Sequence, residues 1–286
     1  MTTKATRVLL AGATGAVGRE LLPLLRARGL FVRTLSQSAA NAARVRDLAD
    51  EVVVADATRP GAVAPALSGI HTVVSCLGAS VALSLSGRRG YAAVDLAANT
   101  ALLDAAQQAG ARRFVYLSAH PGPGYAHTRY MRAHLDMEDR LRASPLSSSS
   151  VRPTGIFTAL DDMVTMARRG LGFVPGNGLA KTNPVHPLDV AEALVGVLDE
   201  GPAELSIGGP EVLSREDIMR LAFEAIGKKP KILHVPPALF RAQSALLRPV
   251  HPRLSDLLEF VAAVTTSDSV APSRGTRPLG PWFAAR

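Results

Sequence analysis

In the segment YMRAH, Tyr130 and His134 stand four residues apart, one turn of a helix. A phenol and a basic side chain at that spacing can work together, the phenol giving or taking a proton while the base tunes it. Two unrelated residues sharing one helix face produce the same spacing. Histidine is mostly neutral at pH 7 when unperturbed, and it is shorter than lysine, so it would depress the tyrosine pKa less. The segment alone leaves both readings open.

The second stretch able to do chemistry is AGATGAVGRE, Ala11–Glu20. It follows the apolar run VLLA and opens a helical pattern, the context in which spaced glycines become informative. Gly12 permits a tight turn, Gly15 lets backbone approach a pyrophosphate, and Gly18 lets the helix lie close to the strand. The free amides and positive end of that helix would then meet the phosphates. Gly12, Thr14, Gly15, Ala16, Val17 and Gly18 are therefore the candidate phosphate cradle.

Short apolar runs alternate with amphipathic segments, the pattern of βαβ units around a parallel sheet. Strands are expected at 8–11, 31–35, 52–55, 72–76, 114–118 and 147–153, with helices at about 17–28, 41–49, 92–109 and 130–143. Gly29 and Gly110 read as helix stops, and Pro23 should kink the first helix. Past Gly155 the alternation weakens. A helix capped near Asp189 and a second one with a Ser214–Asp217 capping box are expected there, and the tail beyond Pro236 shows no clear period. The pattern is thus α/β around a parallel sheet, with the part beyond about residue 155 packed directly on it.

The glycine spacing is Gly-x-x-Gly-x-x-Gly. With the segments VVVADAT, AANTALLDAAQQAGARRFVYLSA, SVRPTG, NPVHPLDVAEAL and GGPEVLSREDIMRLAFEAIGKKP, in that order, the chain resembles the extended and atypical branches of the short-chain dehydrogenase/reductase superfamily. More narrowly it resembles NmrA-like proteins and the nucleotide-binding accessory subunit of respiratory complex I. The resemblance implies an α/β fold with a Rossmann-type doubly wound parallel sheet, a dinucleotide-binding core over about 1–155 and a C-terminal substrate region over 156–286 packed on it. It implies a nicotinamide cofactor, with Asp56 and Ala57 beside adenine. It also implies that Leu77, Gly78 and Ala79 line the cofactor, and that Pro153 and Thr154 meet the nicotinamide carboxamide. Asn99 falls where relatives place a polar residue near the active site. No acid stands at the end of the second strand, where one would repel a 2′-phosphate. Ser36 and Gln37, with Ser38 beside them and Arg33 or Arg44 as cations, favour NADP(H) over NAD(H).

In active relatives a Tyr-x-x-x-Lys pair performs the chemistry. The resemblance puts Tyr130 in the tyrosine slot and His134 in the lysine slot. The slot of the usual serine falls on Ala119, with Ser118 one position early and His120 nearby as a substitute donor. Three readings follow. Tyr130 is the acid with His134 on the ribose and Ser118 or His120 orienting the substrate; or a substrate group or water gives the proton and Tyr130 only lines the pocket; or the fold binds NAD(P)H without turnover. The first two describe a reductase acting on a carbonyl, quinone-like or conjugated molecule, the third a regulator or accessory subunit.

Bulk properties narrow the field. With 286 residues and 47% hydrophobic content, the chain can bury a substantial core. The net charge of +8 is scattered and aromatics make up only 5%, which argues against nucleic acid as partner. No apolar run is long enough to span a bilayer, and no signal-peptide layout opens the chain, so the cytoplasm is the expected location. Cys76 is the single cysteine, and the seven histidines show no metal spacing, so no metal site is expected. The expected partner is a small molecule; the apolar stretch from Leu239 to Leu258 fits a hydrophobic ligand or a partner surface, and core packing explains it equally well. The oligomeric state is left open.

Overall fold

The computed structural model describes residues 6–59, 61–78 and 90–286. Its centre is a seven-stranded, fully parallel sheet. The first half runs β1 (Arg7–Ala11), α1 (Ala16–Ala27), β2 (Phe31–Ser36), α2 (Ala39–Ala43), β3 (Glu51–Val54), α3 (Ala64–Leu67) and β4 (Thr72–Ser75). A π-helical turn, Ala92–Leu96, leads into α4 (Ala97–Gln108), followed by β5 (Arg113–Leu117), α5 (Arg129–Ala143) and β6 (Ser147–Pro153). Strand order is β3-β2-β1-β4-β5-β6, and a seventh strand, β9 (Glu204–Ile207), extends the edge beyond β6. The order reverses at β1, which pairs with β2 on one side and β4 on the other. In such sheets ligands bind at the strands' C-terminal ends where the order reverses.

Both faces of the sheet are covered, which is why β1 reads as a continuous apolar run and not as an alternation. On one face Val17, Leu21, Leu22 and Leu25 of α1 pack with Val190, Ala191 and Leu194 of α7 (Pro187–Gly196). On the other face Leu102, Leu103 and Ala106 of α4 and Met137 and Leu141 of α5 cover Leu9, Val73 and Phe114. Helix α1 continues through the exposed Pro23. The serine-rich β6 holds a central place because its hydroxyls are satisfied. Ser149 accepts from Arg113 at 2.7 Å and donates to the Pro202 carbonyl at 2.7 Å.

Beyond residue 155 the chain supplies β9, α7 and a cap over the C-terminal edge of the sheet. The cap comprises α6 (Asp161–Arg168), β7 (Gly172–Pro175), β8 (Lys181–Thr182), β10 (Leu213–Ser214), α8 (Arg215–Glu224), β11 (Ile232–Val235), α9 (Pro237–Leu247), α10 (Pro252–Val264) and α11 (Leu279–Ala284). Phe157, Val164, Ile218, Met219, Phe223, Leu279 and Phe283 form its core. Three sequence expectations need correction. Helix α7 is capped by His186, whose Nδ1 accepts from Leu188 N–H at 3.0 Å, while Asp189 lies inside the helix and pairs with Arg277. The second helix ends at Ala43, short of the expected 49. The tail holds two helices, α9 and α10, that sequence periodicity did not reveal; α9 buries only Ser244, so its two faces differ little. Among the described residues no helix is long and apolar enough to cross a membrane.

Helix α5, which carries YMRAH, is fixed at both flanks. Arg152 of β6 donates through Nε to Glu138 at 2.8 Å and also pairs with Glu204 of β9. Arg129 pairs with Asp256 at 3.2 Å and Glu259 at 3.1 Å on α10. Glu138 is almost wholly buried, so removing it leaves a largely buried guanidinium half-paired. Glu138→Ala is expected to lower unfolding stability by about 3 kcal/mol, read from urea denaturation, against under about 1 kcal/mol for Asp139→Ala on the exposed side of the helix.

Candidate active site

The turn after β1 admits only glycine at two positions. Gly12 has φ +87°, and a Cβ there would meet the Cys76 carbonyl oxygen at 2.5 Å. A Cβ on Gly18 would fall 2.2 Å from the Gly12 oxygen, so α1 packs against the turn with no side chain between. Gly15 serves a different purpose. It caps α1 in an extended conformation without any side-chain cap, and its Cβ position touches only the Gly12 oxygen, at 3.3 Å. No acid lies in the first turn of α1. Gly15, Ala16, Val17 and Gly18 therefore line a cavity with first-turn amides that have no intrahelical acceptor. This uncapped, unobstructed helix end fits a dinucleotide's phosphates. Thr14 sits half-buried within the turn.

At the other cofactor positions the side chains divide. Leu77 and Gly78 line the cavity; Ala79 lies outside the described residues. Asn99 braces this loop from beneath: its Oδ1 accepts from Ser75 at 2.5 Å, and its Nδ2 donates to the carbonyls of Asp95 at 2.8 Å and Leu77 at 3.3 Å. Asp56 accepts from the Thr58 amide and hydroxyl at 2.9 and 2.8 Å, closing the turn after β3, and Ala57 is buried beside it. Ser36 is buried with an unpartnered hydroxyl, whereas Gln37 is exposed and Ser38 caps α2. Arg33 is corrected. Its guanidinium is buried, donating to Glu51 at 2.5 Å and to the carbonyls of Ala66 and Ser68 at 2.9 and 2.8 Å, so it is not a free cation for a 2′-phosphate. The exposed Arg44 is the cation left in that neighbourhood.

Tyr130 and His134 both line the cavity, with ring centroids 4.8 Å apart. Tyr130 also packs on Phe260 at 4.4 Å and on Tyr91 at 5.0 Å. Its hydroxyl has no hydrogen bond among the described residues. Burial, with nearby Tyr91 and Asp95, pushes its pKa well above the ordinary phenol value. His134 does not counter that shift. Burial lowers it to about 4, and its Nδ1 is bonded to the Tyr116 hydroxyl at 2.8 Å. The pair is thus a protonated phenol beside a neutral imidazole.

Ser118 and His120 line the same cavity. Ser118 is buried with an unpartnered hydroxyl, while His120 Nδ1 is bonded to Ser206 at 3.1 Å and is held neutral by burial and by Arg152. Pro153 and Thr154 line it too, but the Thr154 hydroxyl is committed to the Asn183 carbonyl at 2.5 Å. Burial raises the Cys76 thiol to about 12, so it is an inert wall residue. The cavity measures about 790 Å³, and its far wall is largely apolar, with Met163, Met166, Leu239, Phe240 and Val261. It also holds Thr182 and Arg215, which the sequence did not flag; Arg215 follows a capping serine and read as an ordinary helix start. Among the described residues no cluster of His, Cys, Asp or Glu suits a metal ion.

A family model described as NAD(P)H-binding matches residues 12–201. The chain belongs to this NAD(P)H-binding family. The divinyl chlorophyllide a 8-vinyl-reductase of Zea mays is 31% identical over 280 residues, covering 89% of this chain and 69% of the relative. Ycf39 of Cyanophora paradoxa, described as a photosystem II assembly factor, is 27% identical over 54% of this chain and 46% of its own length. Among solved structures, the NADPH-dependent quinone oxidoreductase QOR2 of Escherichia coli, complexed with NADPH, superposes with a TM-score of 0.76. The match covers 97% of this chain and 99% of that one at 18% identity, a likeness of fold. The chain is therefore a Rossmann-type member of an NAD(P)-binding oxidoreductase family.

The buried imidazole makes stability depend on pH. The folded ring binds a proton only near pH 4, whereas the unfolded ring does so near 6.5, so between these values the unfolded state holds more protons. Stability should therefore fall as pH drops through that window, by up to about 3 kcal/mol at its lower end. Urea unfolding at pH 7 and pH 4.5 checks this, and His134→Gln should flatten the difference.

Proposed function

We propose that the protein is an NAD(P)H-dependent reductase acting on an apolar small molecule with a quinone-like or otherwise conjugated acceptor. NADP(H) is favoured over NAD(H). One observation carries this reading: a single cavity runs from the uncapped helix end at Gly15–Gly18, past Ser118 and Tyr130, to an apolar wall. The bound nicotinamide would supply hydride, and the chain's own residues bind, orient and exclude water. The 31% identical relative is a vinyl reductase, and QOR2 reduces quinones with NADPH, which agrees with an acceptor of this class.

The electrostatics at Tyr130 favour conjugation over a simple ketone. Hydride addition to a ketone leaves a localised alkoxide that needs an acid close by. Among the described residues Tyr130 has no cation beside it to stabilise a phenolate, so it holds its proton and offers a hydrogen bond. Ser118 offers a second. Addition to a quinone or conjugated double bond spreads the charge, and a proton from water can complete the reduction. The competing reading, a nucleotide binder without turnover, is favoured by the neutral His134 in the lysine slot and by the assembly role ascribed to Ycf39.

For cofactor choice, the absence of an acid among residues 36–40 and the buried free hydroxyl of Ser36 support NADP(H). Calorimetry should show NADPH binding more tightly than NADH. NADPH oxidation against quinones, enones and simple ketones tests the reaction. Quinones or enones should turn over and ketones should not. Tyr130→Phe should lower kcat by less than the roughly 100-fold that loss of a general acid causes. A larger loss would return Tyr130 to the role of proton donor. Tight nucleotide binding with no turnover on any acceptor would favour the binder.

A further inference from the structure

Arg215 lines the cavity without an ion pair among the described residues; Asp268 is near enough to favour its charge, but that carboxylate accepts from the Lys181 amide at 2.7 Å. Arg215 begins α8, where its amide donates to the Ala180 carbonyl at 3.0 Å. The side chain is 93% buried and donates once, from one terminal nitrogen to the Val264 carbonyl at 2.6 Å. Its Nε–H has no acceptor, and among the described residues the guanidinium makes no ion pair. A buried donor left this way is costly, and native interiors rarely tolerate it. Burial lowers its pKa to about 10, which still leaves it charged at neutral pH.

A second unpartnered group stands beside it. Thr182 of β8 is 1% exposed and its hydroxyl has no partner. Pairing of β8 with β10 sets Thr182 opposite Leu213, two residues before Arg215, and both Thr182 and Arg215 line the cavity. Two neighbouring polar groups of this wall are engaged with each other: the Tyr125 hydroxyl donates to the His120 carbonyl at 2.9 Å and meets the Ser269 hydroxyl at 2.6 Å. Two residues with orphan donors, one of them a guanidinium without an ion pair among the described residues, thus line a cavity whose far wall is mostly apolar, with Asp162 and Gln243 among its few polar members.

We infer that Arg215 and Thr182 form a carboxylate-binding subsite, so that the substrate is an apolar acid whose reducible part lies toward Tyr130. This deepens, and rests on, the reductase reading of the same cavity. A guanidinium offers parallel donors that match the two oxygens of a carboxylate. A single buried cation balances one negative charge, whereas a phosphate dianion would leave the second charge uncompensated in a low-dielectric wall. Phe260, Leu239, Phe240, Met163 and Met166 would take the hydrocarbon body.

The test is calorimetric and needs no turnover. Cinnamate, dodecanoate and the uncharged amide of each are titrated into protein saturated with NADP+. Each acid should bind at least about tenfold more tightly than its amide. Arg215→Met should erase that preference while leaving NADP+ affinity unchanged. Arg215→Lys should keep part of it, and Thr182→Val should weaken the acids a few-fold without touching the amides. Should the methionine variant not fold, the wild-type comparison and the other two variants decide. Equal binding of acid and amide, no binding of either acid, or an acid preference that survives in folded Arg215→Met overturns the subsite. Loss of NADP+ binding would instead strike the reductase reading, so the two failures are distinguishable.

Discussion

The contact on which the rest depends is the one between the Gly12 carbonyl and α1. A Cβ at residue 18 would overlap that oxygen, and a Cβ at residue 12 would overlap the carbonyl of Cys76. Three backbone segments therefore meet where a side chain would normally keep them apart: the end of β1, the start of α1 and the end of β4. That closeness puts the uncapped amides of α1 at the point where strand order reverses, and only there do the C-terminal ends of β1 and β4 diverge enough to leave a crevice. The apolar packing of α1 against α7 then holds the helix end in register. Anything bound along the sheet edge inherits its position from this junction.

The second determinant is the lack of a cation beside Tyr130 among the described residues. A lysine one turn along would offset the cost of a phenolate; His134 is tied to Tyr116 and stays neutral. The aromatic packing of Tyr130 against Tyr91 and Phe260 adds burial without adding a donor. Burial and the missing cation act in the same direction, so this tyrosine is a better hydrogen-bond donor than acid. The identity of one residue changes the chemistry open to the cavity while leaving its shape alone.

Much of the frame was legible because its causes are local. A buried parallel strand needs an apolar run, a glycine-only turn needs glycines, and helix stops at Gly29 and Gly110 follow from positive φ. Ser214 and Asp217 form the reciprocal cap that their spacing announced. Arg33 was misread for the opposite reason. Nothing in FVRTLS shows that Glu51, on the neighbouring strand, and the carbonyls of Ala66 and Ser68 at the end of α3 will consume its guanidinium. Asp189 likewise reads as a cap from sequence, because Arg277, its partner, lies far along the chain. His186 caps through its ring, a role its residue type does not advertise.

The cavity's far wall lay furthest from sequence reasoning, since it is assembled by one long-range return of the chain. Asn183, fully buried, accepts from the Ala271 amide at 3.0 Å and donates to the Ala271 carbonyl at 2.7 Å. Ser269 donates its amide to the Lys181 carbonyl at 2.8 Å, and Gly208 and Arg274 exchange a further bond at 3.1 Å. These contacts lay residues 269–275 alongside β8 and the end of β9, which brings Ser269 against Tyr125 and confines Arg215 between that strip and the end of α10. A buried polar network of this kind fixes one arrangement because each member is satisfied only in that arrangement. Arg215 Nε and Thr182 Oγ1, beside this network, find no partner in it, and both residues line the cavity. The rigidity of the strip and the openness of those two donors have one origin: the protein spends its own acceptors on holding the wall in place and leaves the charge for what binds there.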